Sequence, residues 1–180
     1  NSINNSATVK ALSSKFAIDE SFFGVQSIGN VWMSHPEFDQ LLSFLFHSHA
    51  CPGVQPGFFI TDFIQENFPL GENESYKYIG SSIYCKDDSL IYLLGISPGM
   101  GDYFLQKLPG NETDSTYADG AKDEGVLIVW DSNLNIGRAV IITYTSAKLK
   151  KVAVNTPDAN RHVQIQTYLD IYAKKDNSLV

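Results

Sequence analysis

Cysteine is scarce in this chain, which has only Cys51 and Cys85 among its 180 residues. A disulfide-rich scaffold is therefore excluded, because such folds need several cross-links to compensate for a thin core. Long apolar runs are also missing, since the longest, residues 126–130 and 139–144, have the length of strands. A membrane-spanning helix needs about 20 consecutive apolar residues, so we expect a soluble protein with no membrane span.

Positive charge is scarce as well. The chain has 13 Lys and Arg against 20 Asp and Glu, which gives a net charge of −7. Nucleic-acid binding depends on clustered basic side chains that neutralise phosphates, so we expect no nucleic-acid partner. We likewise expect no serine-hydrolase triad. The hydrophobic fraction of 43% is ample for the core of one domain, and we assign residues 1–180 to a single domain.

Three metal-capable side chains occur at every second position of one short segment, at His47, His49 and Cys51. In an extended chain alternate side chains share a face, so this spacing predicts that the three point the same way. Imidazole and thiolate are ligands that suit zinc and related transition metals. Pro52 and Gly53 then turn the chain into a helical segment, whose start favours the thiolate form of Cys51. The segment predicts a metal site or a reactive thiol.

Cys85 has three interpretations from sequence alone. It is a ligand of the same metal, one half of a Cys51–Cys85 disulfide, or an inert buried thiol. Four protein ligands close a structural zinc site, whereas three leave a position for water and for chemistry. Asp88 follows Cys85 by three residues and is a candidate hydrogen-bond partner for a ligating histidine, or equally a helix cap.

Apolar periodicity predicts helices in the first half of the chain. Phe38, Leu41, Leu42, Leu45 and Phe46 have the spacing of an amphipathic helix that starts near a proline. A second helix is expected through residues 54–64, and a third begins at an aspartate in residues 87–94. Residues 13–24 are predicted to form a short helix without a clean apolar stripe.

Strand patterns dominate the last third of the chain. We predict strands at 76–84, 125–130, 136–144, 149–154 and 162–172, the last partly helical. Residues 97–102 form a Gly-rich turn, and residues 111–124 form a polar surface loop. The predicted class is α+β, with a helical N-terminal part packed on a small mixed β-sheet and a β-rich C-terminal third.

Two of these segments resemble signatures of FmdE, a family of formylmethanofuran dehydrogenase components. His-Gly-His-x-Cys-Pro-Gly corresponds to residues 47–53, with Ser48 in place of the first glycine. Cys-Gly-x-Asp-Ala and the Gly-rich signature after it correspond to residues 85–102, where Ile96 replaces a cysteine and Met100 a lysine. Ser48 predicts the loss of any backbone conformation reserved for glycine. The resemblance covers roughly residues 38–108, so the segment from residue 125 elaborates the core sheet or is something else.

The resemblance implies an α+β core, a metal near the two signatures, and homodimers. The namesake of the family is an accessory part of the tungsten or molybdenum complex that fixes carbon dioxide onto methanofuran. Many other members stand alone in other microbes. We therefore expect a stand-alone prokaryotic metal-binding protein, an accessory or metal-handling module. Its ion is zinc or another divalent transition metal, with the ligands His47, His49, Cys51 and Cys85.

Two alternatives stay open at this point. One is a metal-dependent enzyme whose open coordination position acts on a small substrate. The other is an exported ligand-binding or sensor domain with a Cys51–Cys85 disulfide. The chain starts at Asn1, so we expect a protein that is either cytoplasmic or exported after removal of an N-terminal segment.

Overall fold

A computed structural model of the chain describes residues 14, 20–81, 83–106, 121–145 and 169–170. Within these ranges the helices come mainly first and the strands mainly last, so the predicted α+β class is confirmed. The helices are α1 (Glu20–Trp32), α2 (Phe38–Phe46), α3 (Gln55–Asn67) and α4 (Lys86–Leu94). The strands are β1 (Glu74–Gly80), β2 (Tyr103–Leu105), β3 (Lys122–Asp131) and β4 (Ile136–Tyr144). Short 3₁₀ turns span Pro52–Val54 and Pro98–Met100.

The four strands form one mixed sheet in the order β2-β1-β3-β4. Strands β1 and β2 are parallel, whereas β3 is antiparallel to both β1 and β4. The predicted hairpin between β3 and β4 is confirmed, and Asp131 Oδ1 stabilises its turn by accepting the N–H groups of Asn133 and Leu134. Strand β3 starts at Lys122 rather than at residue 125, and it lies between two partner strands in the sheet.

Two hydrophobic clusters hold these elements together. The first packs α3 and α4 on the sheet, with Ile64, Leu90 and Leu127 fully buried. The second joins α1, α2 and the start of α3, and it includes Val31, Phe44, Val54 and Phe58. Cys51 belongs to the second cluster and Cys85 packs against it, so the two thiols approach each other where α4 meets α3.

Helix α2 forms as predicted, but it buries a different face. The apolar stripe is largely in solvent, with Phe38 69% and Phe46 53% exposed. Gln40, Ser43 and Phe44 are buried instead. Phe44 meets the ring of Phe58 edge-on, with centroids 5.9 Å apart, and this contact turns the helix so that the predicted stripe faces outward.

Other boundaries also differ from prediction. Helix α1 runs to Trp32 rather than ending at residue 24, strand β1 ends at Gly80, and α4 starts at Lys86. The short strand β2 was not predicted. The predicted strand at 149–154, and the 162–172 segment apart from the helical Leu169 and Asp170, lie outside the described residues, as does most of the 111–124 loop. No helix in the described ranges is long and apolar enough to cross a membrane.

The position of α1 depends on a close contact with the segment that follows α2. A Cβ added to Gly24 would lie 2.3 Å from the carbonyl oxygen of Ser48. Ser27 Oγ accepts the N–H of Ala50 at 2.9 Å and donates to the Gly24 carbonyl at 2.7 Å. These backbone contacts and the buried Val31 together dock α1 on this segment.

We predict that Gly24→Ala lowers the free energy of unfolding by roughly 1–3 kcal/mol, because the new methyl group overlaps the Ser48 carbonyl. Gly29→Ala is the matched control on the same helix, since its Cβ would meet nothing within 4 Å. The control should instead gain up to about 1 kcal/mol from helix propensity. Urea unfolding measures both, and equal stability of the two variants would show that α1 does not dock as described.

Candidate metal site

The segment between α2 and α3 is a turn and not an extended chain. His47 ends α2 with φ −75° and ψ 0°, and Ser48 has a φ of 64°. The prediction that alternation along a strand aligns His47, His49 and Cys51 is therefore wrong. Ser48 also retains the left-handed conformation that a glycine adopts easily, at a cost of about 1 kcal/mol. The expectation that this conformation is lost at Ser48 is wrong as well.

Both cysteines lie at the start of a helical segment. Cys51 precedes the Pro52–Val54 turn that leads into α3, and its Sγ accepts the N–H of Gly53 at 3.4 Å. Cys85 immediately precedes α4. The partial positive charge at a helix start favours a thiolate. The N-terminal ends of two helical segments therefore lie at one pair of sulfur atoms.

The separation of the sulfur atoms tests the alternatives for the two cysteines. Cys51 Sγ lies 3.7 Å from Cys85 Sγ, and both thiols are free in the structure. A disulfide would require about 2.0 Å. Two thiolates on one tetrahedral zinc, with bonds of about 2.3 Å, lie about 3.8 Å apart. The observed separation fits shared ligation and not a disulfide.

His47 has the environment of a ligating histidine. Its Nδ1 lies 2.6 Å from Asp88 Oδ2, and an ionised carboxylate only accepts, so the proton is on Nδ1. Its Nε2 is buried and has no hydrogen-bond partner in the part of the chain that the structure describes. Histidine ligands usually donate their second ring nitrogen to a carboxylate in this way. Asp88 lies within the first turn of α4 and not at the cap, which agrees with the histidine-partner interpretation.

Three of the four predicted ligands come together. One nitrogen of His47 and the sulfur atoms of Cys51 and Cys85 all lie within 4.8 Å of one another. Among the described residues this group does not include His49, whose ring lies against that of His47 with centroids 4.4 Å apart. Ligation by His49 stays a prediction. The three grouped side chains are of the types that hold zinc in proteins.

The electrostatics of the thiol pair also fit a cation. Burial, and then the neighbouring Cys51, raises the pKa of the Cys85 thiol to about 11. Two thiolates so close together in a partly buried place repel each other, and a divalent cation between them would remove this penalty. Metal ligation would therefore deprotonate the Cys85 thiol, whose raised pKa keeps it protonated when no metal is bound.

Gly53 leaves room for the two sulfur atoms. An added Cβ would lie 3.1 Å from Cys85 Sγ and 3.5 Å from Cys51 Sγ. The neighbouring contact between α3 and α4 is equally close, because a Cβ on Gly57 would meet the Lys86 carbonyl oxygen at 2.6 Å. Ser89 Oγ donates to the Val54 carbonyl at 2.8 Å across the same contact.

A buried ionic cluster next to the site was missed from sequence. Lys86 Nζ is completely buried and lies 2.9 Å from Asp87 Oδ1 and 3.3 Å from Glu124 Oε2. Burial raises the pKa of Glu124, against the opposing charge of Lys86. The one available signal was a lysine in the first turn of a helix, where the macrodipole disfavours a cation.

A family model described as FmdE, molybdenum formylmethanofuran dehydrogenase operon, matches residues 46–178, which is most of the chain. The chain belongs to the FmdE family. This match contains His47, Cys51, Cys85 and all four strands. The β-rich part therefore lies within the FmdE match, and β3 and β4 complete the sheet. None of the curated proteins matches the chain.

The letters Gly-x-Ser-x-Gly do occur at residues 95–99, but not in the context of a hydrolase nucleophile. That motif needs a sharp turn from a strand into a helix. Here Ser97 follows α4 and precedes a 3₁₀ turn, where its Oγ accepts the N–H of Met100 at 3.2 Å. The serine caps a turn.

We predict that Gly53→Ala weakens metal binding at least about tenfold, since its methyl group would displace the sulfur atoms from their ligand positions. Gly99→Ala is the matched control. Gly99 is also the middle residue of a Pro-Gly-x 3₁₀ turn, and its added Cβ would meet nothing closer than 3.8 Å. Competition with a chromophoric chelator measures both affinities. Equal affinities for zinc would contradict the sulfur arrangement described.

A second prediction concerns Glu124 and pH. The native carboxyl keeps its proton above the ordinary pKa of 4.5, so the folded state binds more protons than the unfolded state in that range. Stability of the natural chain relative to Glu124→Gln should therefore fall as pH rises from 4.5 through the raised native pKa, and then level off. Denaturant unfolding of both proteins from about pH 4 to about pH 8 measures this. A constant difference would contradict the raised pKa.

Proposed function

We propose that this FmdE-family protein is a stand-alone metal-binding protein that holds one divalent transition metal, zinc by preference, at His47, Cys51 and Cys85. It acts as an accessory or metal-handling module. The observation that carries the proposal is the convergence of three ligand atoms within 4.8 Å. Two observations support it: Nε2 of His47 is buried with no hydrogen-bond partner within the described ranges, and the sulfur atoms lie 3.7 Å apart. A homodimer and a prokaryotic source, which the resemblance implies, belong to the same proposal.

Each neighbouring group prepares a ligand for the ion. Asp88 holds the proton of His47 on Nδ1, and this leaves the Nε2 lone pair for a metal. The Gly53 N–H stabilises negative charge on Cys51. The ion, when bound, would supply the positive charge that keeps both thiols deprotonated. Two thiolates and one divalent cation have no net charge, which suits a partly buried site.

A second candidate function is a metal-dependent enzyme. The observation that favours it is the number of grouped ligands, because catalytic zinc keeps three protein ligands and one open position. His49 distinguishes the two candidates. It either swings in as the fourth ligand and closes the site, or it stays against His47 beside an open position.

Metal content of the purified protein tests the proposal. We expect about one zinc or similar ion per chain, in the stoichiometry of a mononuclear site. The ion should be lost in Cys51→Ser, Cys85→Ser and His47→Ala. His35→Asn is the control, because it removes an exposed imidazole outside the group, and asparagine tolerates the positive φ of 52° there. A metal-free natural chain with two titratable thiols, even after reduction and incubation with zinc, would contradict the proposal.

His49→Ala then separates the two candidate functions. A structural site closed by His49 should lose most of its affinity for the ion. An open site should keep its affinity and retain an exchangeable water, which relaxation measurements on a cobalt-substituted sample detect.

A further inference from the structure

We propose that the buried cluster of Lys86, Asp87 and Glu124 positions the metal site. The cluster fixes the first turn of α4 on the sheet, so that Cys85 and Asp88 meet Cys51 and His47 in the right geometry. This inference rests on the proposed function, since it concerns the affinity of that same site. The three cluster residues would not touch the ion. Their effect passes through the first turn of α4, which carries the ligand Cys85 and the histidine partner Asp88.

Lys86 ties the turn to strand β3. Its side chain is completely buried, and Nζ lies 3.3 Å from Glu124 Oε2. The same ammonium lies 4.6 Å from the centre of the Tyr84 ring. Tyr84 OH in turn lies 3.3 Å from Glu124 Oε1. The Lys86 ammonium thus contacts the Glu124 carboxyl group and the Tyr84 ring, and the Tyr84 hydroxyl contacts the same carboxyl group.

Asp87 ties the same turn to strand β2. Its Oδ1 accepts from Lys86 Nζ at 2.9 Å and from Tyr103 OH at 2.7 Å. Its Oδ2 accepts the N–H of Tyr84 at 2.9 Å. A carboxylate with three donors at these distances has a fixed orientation, because each bond constrains it from a different direction.

Helix geometry connects this cluster to the metal site. Positions three apart share a face of a helix, whereas adjacent positions do not. Cys85 and Asp88 therefore share the face that meets α2 and the Cys51 turn, while Lys86 and Asp87 face the sheet. A rotation of this single turn by one residue would bring Lys86 to the position of Cys85 and Asp88 to that of Asp87. The contacts on the sheet side therefore fix the side chains on the other.

The energetics argue for positioning rather than for stability. A buried ion cluster usually stabilises no better than apolar side chains of similar volume. Its contacts are directional, however, and apolar packing would allow the turn to rotate. The sheet makes room for the cluster, because a Cβ on Gly80 would lie 2.9 Å from Tyr103 OH. Gly80 pairs with Gly125, where a Cβ would lie 2.6 Å from Tyr78 OH.

Tyr103→Phe is the sharpest test, since it removes one hydrogen bond to Asp87 and leaves the ring in place. We expect cobalt(II) to bind about tenfold more weakly, which is the size of effect seen when hydrogen-bond partners of metal ligands are removed. We also expect the thiolate-to-cobalt charge-transfer spectrum to change. Tyr76→Phe is the matched control. It removes a hydroxyl that donates to the Phe68 carbonyl at 2.8 Å, on the same sheet but in contact with the end of α3. Tyr103→Phe should lose more thermal stability than Tyr76→Phe, because its hydroxyl donates to a buried carboxylate and not to a carbonyl. A changed cobalt spectrum is therefore the readout that a loss of stability alone would not produce.

The outcomes separate the inference from the proposed function. If Tyr103→Phe binds cobalt as tightly as Tyr76→Phe and with an unchanged spectrum, the positioning role is wrong and the metal site stands. If the natural chain binds no cobalt, both are wrong. If Tyr103→Phe does not fold, Tyr84→Phe removes the contact with Glu124 instead, and the same affinity comparison with Tyr76→Phe applies.

Discussion

The rest of the structure depends on the contacts that the first turn of α4 makes with the sheet and with the other helices. Four consecutive residues, 85–88, contribute a thiol, a buried lysine, a carboxylate with three donors, and the partner of His47. The next residue, Ser89, fastens the turn to the start of α3 through the Val54 carbonyl. Sheet, helices and candidate site thus share one short segment, and a displacement of this segment would disturb all three.

Sequence predicted the features that depend on local chemistry. Apolar spacing identified α2 and α3, and β-rich runs identified the β3–β4 hairpin. Residue type and the family resemblance together indicated His47, His49, Cys51 and Cys85. The structure groups three of them, although the two cysteines are 34 residues apart. Asp88 was also found, because a carboxylate next to a ligand is a recurring need of metal-bound histidine. The residue types were informative, whereas the extended conformation assumed for residues 47–51 was wrong.

Features that depend on tertiary contacts were missed or wrong. The inward face of α2 is set by the contact of Phe44 with Phe58, which no periodicity within α2 encodes. The φ of Ser48 reflects the packing of α1 on its carbonyl, since a polar residue there does not predict a left-handed turn. The cluster around Lys86 joins residues about forty positions apart, and such pairs have no local signature.

The environment of the thiols favours a bound cation over a redox pair. A disulfide would have to draw the sulfur atoms together from 3.7 Å, against a turn that Lys86 and Asp87 hold on the sheet. The buried Nε2 of His47 would gain nothing from a disulfide, whereas a metal satisfies it together with both sulfur atoms. One ion therefore accounts for the separation of the sulfur atoms and for the buried Nε2, and oxidation would leave both unexplained.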